Sequence, residues 1–111
     1  MYNVYLVSCC DGIDTQYKIG YTKNDVNKRV KQLKTGNSKD LKIEKVFSSK
    51  WGSKIEAILH RKFSHRKISG EWFELDVEDV EQFELDCKNL ENYFTTTVNE
   101  STFKNPKTFL I

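Results

Sequence analysis

Side chains suited to acid–base, metal and phosphate chemistry recur along the first 60 residues of the sequence. They are Tyr5, Lys18, Arg29, Glu56 and His60. Glu56 and His60 are four residues apart, so on a helix they share one face. A carboxylate can hold a divalent cation, Arg and Lys can balance charge developing on a phosphate, and a phenol or imidazole can orient or deprotonate water. Residues of these types, if brought together, indicate phosphodiester hydrolysis.

Two predicted strands must position the first of these side chains. Residues 2–8 and 16–22 are rich in aromatic and β-branched residues and alternate with a period of two. In that frame Tyr5 lies on the more polar face of the first strand, and Lys18 and Gly20 lie on the more polar face of the second. If these faces pair, we expect the missing side chain of Gly20 to leave room for a phosphate.

Two predicted helices must supply the remaining groups. Helix 25–34 has an apolar stripe with Arg29 on its margin, from which a guanidinium can reach the sheet surface. On helix 51–65, Glu56 and His60 border the apolar stripe. We therefore predict one rim where the carboxylate, imidazole, guanidinium, phenol and ammonium meet.

Each residue also has a structural interpretation. Tyr5 could be an ordinary sheet aromatic, and Glu56 with His60 could be a surface pair on a helix. Gly20 could mark a β-bulge, and Arg29 could be one more solvated cation. The residues alone leave both interpretations open.

The remaining patterns complete a small α+β domain. A strand is predicted at 41–47, a short extended piece at 69–75, and an acidic amphipathic helix at about 77–94. We expect a turn at Asp11-Gly12 to join the first two strands, and Gly36 can close the first helix. We expect residues 1–94 to form one domain with a motif core at 3–75, and residues 95–111 to form a loosely docked tail. The expected fold is a three-stranded antiparallel sheet flanked by helices in the order ββαβαα.

Composition narrows the possible functions. Residues 1–70 hold 15 Lys or Arg against 6 Asp or Glu, whereas residues 71–111 hold 3 against 10. The basic part could bind a polyanion, or its lysines could simply solvate helix faces.

Three cysteines without metal-ligand spacing indicate free thiols and a reducing compartment, cytoplasmic or nuclear. No signal peptide or membrane helix is predicted, so we expect no membrane partner.

Several short motifs together resemble the GIY-YIG nuclease superfamily. They are "VYLV", "YKIGYT", "NKR", "KIEAILHRKF" and "GEWFEL". Their order is similar to a branch of the superfamily found in phage, bacterial and large DNA-virus proteins. That branch has four landmarks in this order along the chain: Y-K-I-G, then R, then E-x-x-x-H, then E-W-F. The resemblance covers about residues 3–75. It implies the three-stranded fold given above and a viral or phage source.

The resemblance also implies roles for individual residues. Tyr5 would help to activate water, Arg29 would contact the scissile phosphate, and Glu56 would hold a single Mg²⁺, with Mn²⁺ as an alternative. His60 could relay a proton, and Glu71 could support the site or be structural. Lys18 takes the place of the second family tyrosine and would stabilise charge on the phosphate. We assign substrate binding to Gly20, Tyr17 and Lys28.

The resulting prediction is a metal-dependent endonuclease that cleaves DNA, with RNA left open, as a monomer or homodimer. One alternative is a catalytically weak module of the same origin that binds nucleic acid or a protein. Another is a protein-interaction domain that uses the acidic helix. For the nuclease, we predict that helix 77–94 packs away from Tyr5, Arg29 and Glu56, because its carboxylates would repel DNA.

Overall fold

A computed structural model describes residues 1–10, 14–34 and 40–101, and the side chains of all of these except 34 and 98–101. The strands are β1 (Tyr2–Cys10), β2 (Thr15–Thr22), β3 (Leu41–Ser49), β4 (Lys67–Ser69) and β5 (Trp72–Phe73). The helices are α1 (Val26–Lys34), α2 (Gly52–Lys62) and α3 (Val77–Ser101), with a 3₁₀ turn at Ser64–Arg66. Within these ranges, no helix combines the length and apolar character needed to cross a membrane.

The strands form one five-stranded antiparallel sheet in the order β3-β1-β2-β5-β4. Strand β1 is the middle of the three long strands, and its residues 4–9 are buried on both faces. Alternation therefore sends two sets of β1 side chains into two separate cores. Val4 and Leu6 enter the core under α2 and α3, and Tyr5 and Val7 enter the core under α1.

The predicted three-stranded sheet and the order ββαβαα are wrong, although the chain is still an α+β fold. The two additional strands are a short hairpin that pairs with the start of β2 through Tyr17–Phe73 and Lys18–Trp72. All three residues of β4 are exposed. An exposed three-residue strand cannot show the alternation of polar and apolar residues by which strands are predicted.

Two predicted helix ends also differ from the structure. Helix α2 ends at Lys62, where the chain enters the 3₁₀ turn, and not at residue 65. Helix α3 continues to Ser101, so the predicted tail at 95–111 begins inside a helix. The run of threonines after Phe94 weakens the apolar period but does not end the helix. The turn at 11–13, the cap at Gly36 and residues 102–111 lie outside the described residues.

Helix α3 packs on the face of the sheet opposite to α1. Its Phe83, Cys87 and Phe94 are buried in the core shared with α2, and burial raises the pKa of Cys87 to about 12. The acidic helix is therefore separated from Tyr5 and Arg29, as predicted. It is not separated from Glu56, because α2 and α3 lie on the same face. Ion pairs hold the acidic side of α3 in place. In one of them, Lys62 Nζ lies 2.7 Å from Asp86 Oδ2.

Gly20 is required by the packing of Tyr5. The two residues are direct partners across β1 and β2. A Cβ placed on Gly20 would lie 2.6 Å from Tyr5 Cζ and closer still to the hydroxyl. Tyr5 is 1% exposed, so the ring has no room to move. The sequence-based interpretation that Gly20 leaves space for a phosphate is thus corrected, because the phenol of Tyr5 fills that space.

We expect Phe83→Ala to destabilise the protein by about 3–5 kcal/mol, since it leaves a cavity between α3 and the sheet. Leu85→Ala, on the same helix but 53% exposed, should change stability by no more than about 0.5 kcal/mol. Urea denaturation followed by circular dichroism measures both values. Equal effects of the two variants would contradict the described packing of α3.

We expect Gly20→Ala to cost about 1–3 kcal/mol, because the new methyl group overlaps the buried ring of Tyr5. The same substitution in a Tyr5→Leu background should cost clearly less, since leucine lacks the atoms that the methyl group meets. A double-mutant cycle in urea measures this difference. Additive effects would show that Gly20 and Tyr5 do not contact one another as described.

Candidate active site

The candidate site lies at the edge of β2, where the short hairpin ends. Strand β5 pairs with β2 only at Tyr17 and Lys18, and the next residue of β2, Ile19, has both backbone groups satisfied in other ways. Its N–H donates to the Glu71 carbonyl at 3.4 Å, and its carbonyl accepts from His60 Nε2 at 2.8 Å. Helix α2 is thereby fixed against the edge of the sheet.

Three potential metal ligands converge at this edge. Glu56, His60 and Glu71 each offer one ligand atom, and these atoms all lie within 4.8 Å of one another. Glu56 and His60 come from successive turns of α2, and Glu71 comes from the turn between β4 and β5. The His60 ring is held edge-on against buried Phe73, with centroids 4.9 Å apart. The group Glu56, His60 and Glu71 is called the edge cluster below.

The hydrogen bond to the Ile19 carbonyl determines which ring nitrogen of His60 is protonated. A carbonyl oxygen only accepts, so His60 Nε2 must carry a hydrogen. The same nitrogen lies 3.2 Å from Glu56 Oε1 and can share its hydrogen with that carboxylate. Nε2 therefore has no lone pair for a metal or for a proton from water. In this geometry His60 positions Glu56.

Lys18 reaches the edge cluster from the other face of the sheet. Its ammonium forms an ion pair with Glu71 Oε2 and lies 5.8 Å from the centroid of the Trp72 ring. The Lys18 side chain is 8% exposed, which is unusual for a lysine unless its charge is paired. Lys18 and Tyr5 are on the α1 face, whereas Glu56 and His60 belong to α2. The site therefore wraps around the sheet edge.

Burial is the main influence on the charge of Glu56. Its side chain is 14% exposed, and desolvation raises its pKa above the ordinary carboxyl value. Glu71 raises this pKa further, while His60 and Lys18 lower it. A partly buried carboxylate near a second carboxylate favours a bound cation, which would offset both effects.

The other predicted site residues lie outside the edge cluster. Arg29 shares the α1 face with Tyr5 and Lys18, but its guanidinium donates to Gln32 Oε1 at 3.3 Å on its own helix. Lys28 is exposed on α1. Tyr17 packs on the α2 and α3 face, where burial and Glu44 raise its pKa. The structure does not bring Arg29, Lys28 or Tyr17 into contact with the edge cluster.

Two features of the site escaped the sequence interpretation. Trp72 provides an aromatic face beside the ammonium of Lys18, and the Ile19 carbonyl fixes the His60 ring. The quoted "GEWFEL" motif contains Trp72 and could have directed attention to it. The role of a backbone carbonyl depends on which strand edge is left unpaired, and that cannot be read from residue types.

The edge cluster is suited to a hard divalent cation. Two carboxylates supply oxygen donors of the kind that Mg²⁺ and Mn²⁺ prefer, and no cysteine belongs to the cluster. Mg²⁺ usually keeps several waters and is held by one or two carboxylates together with substrate phosphates. Glu56 and Glu71 fit that requirement, with His60 holding Glu56 in place.

The edge cluster is open to solvent on the side of Glu71, whose side chain is 43% exposed. A groove of about 170 Å³ lies between α2 and α3 and is lined by residues outside the edge cluster. These lining residues are Ile58, Leu59, Lys62, Asp86, Asn89 and Leu90. Pockets for small ligands are commonly larger, about 300–1,000 Å³, and enclose most of the ligand. An open edge is better suited to one segment of a long polymer.

Comparison with known proteins corrects the resemblance given by the sequence motifs. The chain matches the family model described as the T5orf172 domain over residues 3–99, and the identification with the GIY-YIG superfamily is therefore wrong. No curated protein and no solved structure matches the chain. The family match includes all three residues of the edge cluster, Lys18 and most of α3. The chain belongs to the T5orf172 domain family.

Proposed function

We propose that this protein is a metal-dependent endonuclease that hydrolyses phosphodiester bonds in DNA. The observation that carries the proposal is the convergence of Glu56, His60, Glu71 and Lys18 at one open sheet edge. Two carboxylates to hold a cation and a paired lysine beside them are the groups that phosphoryl chemistry uses.

Each residue has a distinct role in the proposed reaction. Glu56 and Glu71 would hold Mg²⁺ or Mn²⁺, and the bound ion would supply Lewis-acid polarisation of the phosphate and a more acidic water. His60 holds the Glu56 carboxylate through its Nε2–H, and this nitrogen therefore does not accept a proton from water. Lys18 offers positive charge to the phosphate. Tyr5 is 1% exposed and its phenol lies over Gly20, so we assign it the packing of this part of the sheet and no contact with the attacking water.

The charge distribution supports a polyanionic substrate. Helix α1 contains four Lys or Arg and no acidic residue, and it lies on the same face as Tyr5 and Lys18. Helix α3 contains seven acidic residues and one lysine, and it lies on the opposite face. A DNA backbone would therefore approach from the α1 side, where Lys28 and Arg29 can contact phosphates. Arg29 would exchange its bond to Gln32 for a phosphate.

The three cysteines agree with a reducing setting. Cys9, Cys10 and Cys87 are all free thiols, and Cys10 is exposed. An exposed free thiol survives in compartments where glutathione and thioredoxin keep cysteines reduced. We therefore place the proposed reaction in the cytoplasm or nucleus.

We expect the wild-type protein to nick supercoiled plasmid with Mg²⁺ or Mn²⁺ and to be inactive in EDTA. Glu56→Gln should reduce the cleavage rate by at least about 10²-fold, because it removes a metal-binding charge at nearly constant volume. Glu81→Gln, an exposed change on α3, should cleave like wild type. Agarose gels with time points measure all three rates.

Absence of cleavage by wild type with either metal would refute the nuclease proposal. Cleavage by Glu56→Gln at the wild-type rate would refute the metal-binding role of Glu56. Salt-sensitive DNA binding without turnover would identify a binding module instead of a nuclease.

We expect His60→Gln to keep much more activity than His60→Leu. A glutamine amide can donate a hydrogen bond to the Ile19 carbonyl or to Glu56, whereas leucine donates none. Plasmid cleavage by both variants at one metal concentration measures the difference. Equal, complete loss in both variants would instead indicate that the imidazole itself exchanges a proton during the reaction.

A further inference from the structure

The ion pair between Lys18 and Glu71 is unequally buried. The Lys18 side chain is 8% exposed, and the Glu71 side chain is 43% exposed. A cation that reaches the edge from solvent can therefore contact Glu71 without entering the core. Lys18, in contrast, has its ammonium largely out of water and requires an anion beside it.

Lys18 also balances charge within the edge cluster. Glu56 and Glu71 offer oxygens within 4.8 Å of each other, an arrangement in which two carboxylates repel unless a cation is present. In the structure that cation is the Lys18 ammonium, which is paired with Glu71 and also acts favourably on the charge of Glu56. A divalent cation bound by the same carboxylates would make this role of Lys18 redundant.

We propose that Lys18 is the built-in counterion of the edge cluster, and that a divalent cation and a phosphodiester anion bind together by separating Lys18 from Glu71. The Glu71 carboxylate would then coordinate the metal, and the released ammonium of Lys18 would pair with a phosphate oxygen. This inference rests on the proposed function, since it assumes that Glu56 and Glu71 hold a metal.

The burial of Lys18 makes the two binding events depend on one another. Breaking a buried ion pair by removing one partner is strongly unfavourable, because the remaining charge is left unpaired. Metal binding without an anion would leave Lys18 in that state. An anion that pairs with Lys18 removes this penalty, so each ligand increases the affinity of the other by the same factor.

The test measures Mn²⁺ binding to the full chain by electron paramagnetic resonance of the free ion, with and without dimethyl phosphate as a minimal phosphodiester. For wild type, we expect saturating dimethyl phosphate to tighten Mn²⁺ binding by about 5–10-fold. Lys18→Met removes the competing charge and keeps most of the apolar stem. It should bind Mn²⁺ roughly tenfold more tightly than wild type without the anion, and dimethyl phosphate should no longer affect it.

A matched control is available on α2. Lys62 also pairs with a carboxylate, at 2.7 Å from Asp86 Oδ2, but neither residue belongs to the edge cluster. Lys62→Met should therefore bind Mn²⁺ like wild type and keep the response to dimethyl phosphate. Circular dichroism establishes that each variant is folded, and Lys18→Gln replaces Lys18→Met if the latter does not fold.

The outcomes separate this inference from the proposed function. If wild type binds Mn²⁺ but dimethyl phosphate has no effect, or if folded Lys18→Met binds Mn²⁺ no more tightly, the counterion role of Lys18 is refuted while the metal site stands. If wild type binds no Mn²⁺ with or without the anion, the metal site and the counterion role are both refuted. If Lys62→Met changes Mn²⁺ affinity as much as Lys18→Met, the effect is one of overall charge and the specific role of Lys18 is overturned.

Discussion

The candidate site depends on one hydrogen bond, from His60 Nε2 to the carbonyl of Ile19. A carbonyl at an unpaired strand edge needs a donor, and the hairpin strand β5 is too short to provide it. Helix α2 supplies the donor and is thereby held at one position along β2. Because Glu56 lies one turn before His60, this single contact also places the carboxylate beside Glu71. A helix shifted along the sheet would lose both the backbone bond and the cluster.

The sheet edge also explains how residues from two separate cores meet. Side chains on opposite faces of a sheet are normally kept apart by the backbone layer. At the end of the β2–β5 pairing that layer stops, so Lys18 from the α1 face and Glu56 from the α2 face can both reach Glu71. The segregation of basic α1 from acidic α3 follows from the same division of the two faces. It gives the open edge one side that a polyanion can approach.

The sequence predicted the long elements well, because their apolar patterns are regular, and it placed some of the site residues on the correct faces. Tyr5, Lys18 and Gly20 share a face as the period of two requires, and Glu56 with His60 share a helix face. The hairpin could not be predicted, since β4 is exposed and β5 has two residues. The role of Gly20 was misjudged because the rotamer of Tyr5 across the sheet is invisible in a one-dimensional pattern. The motifs also suggested the GIY-YIG superfamily, whereas the family model that matches residues 3–99 is that of the T5orf172 domain.

The short hairpin has a consequence for how firmly Glu71 is held. Strand β5 contributes two residues to the sheet and the residues of β4 are exposed, so few backbone bonds join the Glu71 turn to the rest of the fold, and buried Phe73 is its main apolar anchor. Regions of this kind open locally at a free energy well below that of global unfolding. Arg66 restrains the base of the hairpin through Asp76, at 2.9 Å, and through the Glu74 carbonyl. The two carboxylates of the edge cluster thus belong to units of different local stability, and amide exchange should be faster around Glu71 than around Glu56.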